Sequence, residues 1–197
     1  MATPDKLPVE PSLLYIIWGA AARASPKELV PEYLNRWQES ASNETKVRLV
    51  RAMGRVSDKD VIRDVILPFC FGTMPEDRVL RPTEMTPLIS TLAYNSAARP
   101  VQWEYIKSHW DAITAKLGTS DAVSRILSTC LPAFTDAAAI EDIERFFVDK
   151  DTNGYAATLA TAKDVILNSS RFRGRERASL ASWLDEQGYM AVQTTRE

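Results

Sequence analysis

The sequence has one histidine, His109, with only seven glycines and two cysteines among its 197 residues. With a single imidazole, no two-histidine zinc site can form within this chain. A Ser/His/Asp triad would have to recruit His109, which has no fixed partner in sequence, so it reads as a packing or surface histidine. The glycines are scattered and make no phosphate-cradling loop. Base does not exceed acid: 24 Lys and Arg face 26 Asp and Glu, for a net charge of −2. Nucleic acid would want a basic excess, so it is excluded as a partner. Cys70 and Cys130 lie in the apolar contexts "LPFCFG" and "STCLPAF". Two such thiols suit a reducing compartment better than a disulfide framework, so a cytoplasmic location is expected. No apolar run reaches the roughly 20 residues of a membrane span. The longest is "LLYIIWGAAA", over 13–22. Pro4, Pro8 and Pro11 precede it, and Asp5 and Glu10 outweigh Lys6. A signal peptide wants a basic start, so this run reads as a buried first helix. The chain carries no catalytic constellation and is expected not to be an enzyme by itself, with neither metal nor cofactor and no membrane partner.

What is present is apolar residue at helical spacing. Hydrophobic residues make up 45% of the chain, enough for a real core. No run alternates like a strand. Residues 1–11 read as a proline-punctuated linker or leader, 12–188 as one helical domain, and 189–197 as a tail. Ser12 is placed as the cap of a helix to about Ala24. Ser25-Pro26 then opens a second, with Leu29, Tyr33, Leu34 and Trp37 on one face and Pro31 as a kink or a late start. Asn43 is read as the next cap, with Val47, Leu49, Val50 and Met53 inward and Gly54 near the end. Ser57 is read as the cap after that, with Asp58 and Asp60 in the first turn, where the helix dipole favours acid. "GTMPEDRVLRP" is a loop. Further helices are expected over about 84–95, from Arg99-Pro100, from Thr119 to Phe134, from Asp136 to Phe147, over about 155–170, and from Gly174 to about 188. Antiparallel pairs of roughly 30 to 40 residues have the spacing of HEAT-like repeats. The expected fold is all-α, a right-handed α-solenoid of such pairs.

"NSAARPVQWEYIKSHW", over 95–110, concentrates two tryptophans and a tyrosine. Trp103, Ile106, Trp110, Ile113 and Leu117 recur at spacings of three and four, one continuous apolar stripe. Tyr105 and His109 stand beside it, and Lys107, Ser108 and Asp111 lie on the polar side. A base-stacking platform would set its aromatics among arginines on an exposed face. The stripe therefore reads as core, with both tryptophans between helices.

Asn95, Arg99, Trp103, Tyr105, Lys107 and Trp110 also match, in type and spacing, the pattern N-P-x-G-R-x-x-x-W-x-F-x-K-x-N-W. In this respect the chain resembles the C-terminal helical domain of the puromycin-sensitive and endoplasmic-reticulum type of zinc aminopeptidases. Downstream, "LPAFTDAAAIEDIERFF" is similar to that family's next segment through Phe134, Thr135, Ile143, Phe146 and Phe147. "GYAATLATAKDVILNSSRF" and "LASWLDE" are similar to its later helices, and "VRLVRAMGRVSDKDVIRDVI" to an earlier pair. The resemblance covers about residues 12 to 187. Ser96 and Ala98 replace the usual proline and glycine, and Arg171-Phe172 stands where tryptophan is usual.

The resemblance implies a non-catalytic domain that closes the substrate chamber of an aminopeptidase. The zinc would belong to a separate catalytic domain. The partners implied are that domain and its peptide substrate. The other reading is a free-standing helical-repeat module that binds another protein. "RFRGRER" is expected at a turn between helices, where Arg171, Arg173, Arg175 and Arg177 either cap carbonyls or anchor a carboxylate. If the domain caps a peptide chamber, Arg99 and Lys107, or Arg171, Arg173 and Arg175, are expected to face the concavity.

Overall fold

The computed structural model describes residue 10 and residues 13–72 and 79–189. Ser12, most of the expected leader, the middle of the "GTMPEDRVLRP" loop and the tail beyond 189 lie outside the described residues. Among the described residues the regular structure is helical throughout, an all-α fold.

The first pair is α1 (Leu14–Ala24) and α2 (Pro26–Glu39). Pro26 supplies the first position of α2, where its missing N–H costs nothing. Pro31 neither delays nor ends α2, although it forgoes one backbone hydrogen bond. Val30 and Tyr33 are buried, with Leu29, Leu34 and Trp37 packed partly against the core. The Tyr33 hydroxyl donates to the Trp18 carbonyl at 3.1 Å, tying α2 to α1. Burial raises the Tyr33 pKa to about 12, so the hydroxyl keeps its proton.

The cap of α3 (Asn43–Met53) is Ser42 and not Asn43. Ser42 is the extended residue, and its hydroxyl accepts from the Thr45 amide at 3.3 Å, while Asn43 already lies in the helix. Val47 is 36% exposed and not inward, while Leu49, Val50 and Met53 are buried as expected. The next cap is Asp58, one residue after the expected Ser57. Its carboxylate accepts from the Asp60 and Val61 amides at 3.0 and 3.1 Å. From there α4 (Lys59–Val61), a π-helical turn (Ile62–Ile66) and α5 (Leu67–Phe71) run on as one rod. Gly72 ends it with φ +69°, a conformation glycine adopts freely.

α6 (Thr86–Tyr94) and α7 (Arg99–Ser108) come next. The helix expected from Arg99 to Leu117 is broken: His109 takes φ −118° and ψ 22°, and α8 (Trp110–Leu117) starts after it. The apolar stripe survives the break, because Trp103, Ile106, Ile113 and Leu117 are all buried. Trp110, beside the bend, is only half-buried. α9 (Ser120–Cys130) gives way to a 3-10 turn (Leu131–Ala133), and α10 (Ala138–Phe147) follows.

The two last helices expected from the sequence are one, α11 (Ala156–Glu186), 31 residues long. Gly174 is interior to it and meets no neighbouring atom within 4 Å. A helical glycine costs about 1 kcal/mol relative to alanine, which the strong helix formers around it offset. The arginines of "RFRGRER" are therefore on a helix and not at a turn.

α1, α3, α6, α9 and α11 touch in that order and form one row. α2, α4–α5, α7–α8 and α10 lie behind it. Because helices of a pair run antiparallel, the corners inside the pairs come to one edge of the stack. Direct contacts link them. Asn95 reaches Gly54 and Val56, Arg99 covers Phe134, and Arg173 reaches Thr135.

Candidate functional site

The residues of the 95–110 pattern assemble into a framework. The Asn95 amide nitrogen donates to the Gly54 and Val56 carbonyls at 3.1 and 2.6 Å, and its oxygen accepts from the Ala97 amide at 3.1 Å. It thereby ties the α3–α4 corner to the α6–α7 corner. Trp103 donates its indole N–H to Asp142 at 2.6 Å. Its ring meets Phe146 edge-on at 5.4 Å and Phe147 at 6.3 Å. Trp110 meets Phe146, Phe147 and Tyr155 edge-on at 5.5, 5.3 and 6.2 Å. Tyr105 stacks between Phe71, at 6.0 Å, and His109, at 4.1 Å. These aromatics hold α7 and α8 to α10 and to α5, as the stripe implied.

The basic candidates are less free than the sequence suggests. Lys107 is 2.8 Å from Asp142 and 2.7 Å from Glu104, and so belongs to the framework. Burial opposes its charge, but the hydrogen bonds and charges of the two carboxylates outweigh that and raise its pKa. Arg99 donates to the Ala93 carbonyl at 2.7 Å and lies 5.8 Å from the Phe134 ring centre. Arg173 donates to the Thr135 hydroxyl at 2.9 Å. The two groups thus meet at neighbouring residues, Phe134 and Thr135. Arg175 pairs with Glu176 at 2.5 Å and lies over Phe172, while Arg171 is exposed.

A cavity of about 590 Å³ on the same edge, between α1, the end of α3 and α6, has a different chemistry. Arg23 and Arg55 line it with Ser90, Thr91, Tyr94 and Asn95, and no carboxylate is among its lining residues. Arg55 reaches across α1 because residue 19 is glycine: a β-carbon there would sit 2.3 Å from the Arg55 Cδ. The guanidinium carbon ends 5.4 Å from the Tyr15 ring centre. Asn95, gripping the carbonyls on either side of Arg55, fixes where that side chain starts. Two guanidinium groups without a facing acid can take up a carboxylate or another anion. No group of three or more His, Cys, Asp or Glu among the described residues could hold a metal ion.

The family model described as "ERAP1-like C-terminal domain" matches residues 1–168. The chain belongs to this family. The ERAP1-like domain also aligns with curated proteins. It is 27% identical over 88% of its length to the alanine/arginine aminopeptidase of Saccharomyces cerevisiae, covering 20% of that protein. It is 22% identical to aminopeptidase 2 of Candida albicans over 94% of its length, again 20% of the relative. With aminopeptidase M1-C of Oryza sativa the identity is 26% over 78%, and 17% of the relative is covered. The chain spans about a fifth of the length of these relatives. The family is described as a C-terminal domain, and these relatives are aminopeptidases.

Within the ERAP1-like domain, the Asp142 cluster yields a pH prediction. Burial raises the Asp142 pKa, but the hydrogen bonds from Lys107 and Trp103 and the charges of Lys107 and Arg145 outweigh that and lower it. A carboxylate depressed in the folded state stabilises above its unfolded pKa and loses this as pH falls through the folded value. Stability is therefore expected to decline on acidification below about pH 4. In Asp142→Asn that part of the acid limb should be flattened. Urea midpoints measured from pH 6 to pH 2.5 check it, and parallel curves for the two proteins would remove Asp142 as the titrating group.

Sequence reasoning missed Arg23, Arg55 and Gly19. Arg23 and Arg55 are 32 positions apart, one on α1 and the other in the turn after α3. Only the α1–α3 contact brings them to one cavity, so no local spacing announces them.

Proposed function

We propose that this domain closes the substrate chamber of a zinc aminopeptidase and receives the carboxylate end of the peptide, away from the scissile bond. The Arg23–Arg55 cavity supports this reading, because it offers two guanidinium groups and no competing acid on the stack edge. Hydroxyls of Ser90, Thr91 and Tyr94 add hydrogen-bonding capacity for the peptide backbone. Arg99 and Arg173, meeting at Phe134–Thr135, make a second basic spot on this edge. His109 is the only imidazole of the sequence, so a two-histidine zinc site cannot form within it. The zinc, in this reading, is held by the catalytic domain, which is also the direct partner. The buried thiols of Cys70 and Cys130 fit a cytoplasmic setting.

The test uses a ten-residue peptide with a free C-terminal carboxylate and its C-terminal amide, titrated against the 197-residue chain by calorimetry. The carboxylate peptide is expected to bind more tightly than the amide, and Arg55→Glu should abolish that preference. Losing a charge-assisted contact of about 1.5–3 kcal/mol weakens binding roughly 10- to 150-fold. Gly19→Ala, which displaces the Arg55 side chain while keeping its charge, should act in the same direction. Equal binding of the two peptides, or indifference to Arg55→Glu, would overturn the assignment. The second reading, a free-standing interaction module, draws on the exposed apolar side chains of α11. An H-E-x-x-H motif upstream in the same reading frame decides between the two.

A further inference from the structure

α11 is anchored in its first third only. Leu159, Ala162 and Ile166 are buried, and no later residue of the helix is. Arg173 still reaches Thr135, and beyond it the helix runs on past the edge of the stack. A helical segment without tertiary support is marginal in water even at 12–15 residues. This one nevertheless carries large apolar groups on one face. Phe172, Leu180 and Trp183 are 59%, 55% and 51% exposed. Their spacings of eight and three residues place them on a single stripe, which Val165 extends toward the anchored end. Tyr189 folds back against Trp183, 6.2 Å between ring centres.

The charges along the same segment are segregated. Arg171, Arg173, Arg175 and Arg177 outnumber Glu176 in its first part, and Asp185 and Glu186 stand at its end. Side by side and parallel, two such helices would set base against base and acid against acid. Run antiparallel, they oppose unlike charges.

We propose that this half of α11 is a self-association surface on which a second copy of the chain docks antiparallel. With the two-fold axis between residues 177 and 178, Phe172 of one copy meets the partner's Trp183. In that register Arg171 stands within a turn of the partner's Asp185 and Glu186. Leu180 packs on the stem of the partner's Arg175. The contact is isologous, so each half of the seam repeats the other and the assembly closes as a dimer. A single helix seam is smaller than the roughly 800 Å² per partner of a standard interface, so weak, concentration-dependent association is expected. The surface is separate from the Arg23–Arg55 cavity, and its failure leaves that reading untouched.

Sedimentation equilibrium of the full chain between about 1 and 300 μM tests it. The mass is expected to rise from 22.0 kDa toward twice that value. Leu180→Glu combined with Trp183→Glu should hold it at the monomer mass. Both side chains are exposed, so the urea midpoint of the core should not move. Arg171→Glu and Asp185→Arg variants should each dimerise poorly alone and regain association when mixed. A monomer at every concentration would overturn the proposal, and so would a dimer indifferent to the double substitution. Protection of Trp183 by an aminopeptidase catalytic domain, with no dimer of the chain, would assign the surface to that partner instead.

Discussion

Trp103→Ala is expected to lower the unfolding free energy by about 3–5 kcal/mol, the range for truncating an aromatic in a core. Trp103 is 5% exposed and sits where α7 crosses α10, edge-on to Phe146. Alanine leaves a cavity between the two helices. It also removes the indole N–H from Asp142, whose charge then rests on Lys107 and Arg145. Trp103→Phe separates these effects. It keeps most of the apolar volume and loses the donor, so about 1.5–3 kcal/mol is expected, the worth of a hydrogen bond to a charged group. Trp110→Ala should cost less than Trp103→Ala, since Trp110 is half-buried and makes no hydrogen bond through its ring nitrogen. Urea unfolding with an unchanged m-value measures all three. An unmoved midpoint for Trp103→Ala would return this aromatic to the surface.

The second large effect is expected at Asn95. Asn95→Ala removes two donated hydrogen bonds from the Gly54 and Val56 carbonyls and one accepted from Ala97. Leaving partly buried groups unpaired costs about 1–3 kcal/mol each, so a loss of about 2–4 kcal/mol is expected after water satisfies some of them. Asn95→Asp is the sharper variant. It has nearly the same shape, but its carboxylate cannot donate and points charge at two carbonyl oxygens. It should destabilise at least as much as alanine. Both variants release the corner carrying Arg55, so the preference for a free peptide carboxylate should fall with stability. An Asn95→Asp protein as stable as the wild type would mean that the corner is held by packing and not by the amide. Gly54 belongs to the same corner. A β-carbon there would lie 2.6 Å from the Thr91 Cβ, so the corner tolerates no side chain at that position without moving α6.

The corrections share one physical origin. Ser42 and Asn43, like Ser57 and Asp58, are adjacent residues of which either can cap a helix. Backbone direction chooses between them, and it is set by how the helix docks. The break at His109 is of the same kind. Its local sequence is helical throughout, yet the bend brings Trp110 onto Phe146 and Phe147 while Ile113 and Leu117 stay buried against α9 and the core. Gly174 misled in the opposite direction, since a glycine in a helix exposed on all sides meets no neighbour that would force a turn.

Apolar spacing of three and four by itself determined that the chain is all-α and that Trp103, Ile106, Ile113 and Leu117 are core. Periodicity and residue inventory are properties of the chain alone, so these followed without coordinates. The pattern from Asn95 to Trp110 carried the resemblance to the family, and the family match bears that membership out. Only the tertiary structure decided which charges are free. Lys107 is committed to Asp142, 35 positions away, and Arg23 and Arg55 share a cavity across 32 positions. Ion pairs and cavities depend on which helices become neighbours in the stack. That is fixed by the summed fit of many side chains and is written in no short stretch of sequence.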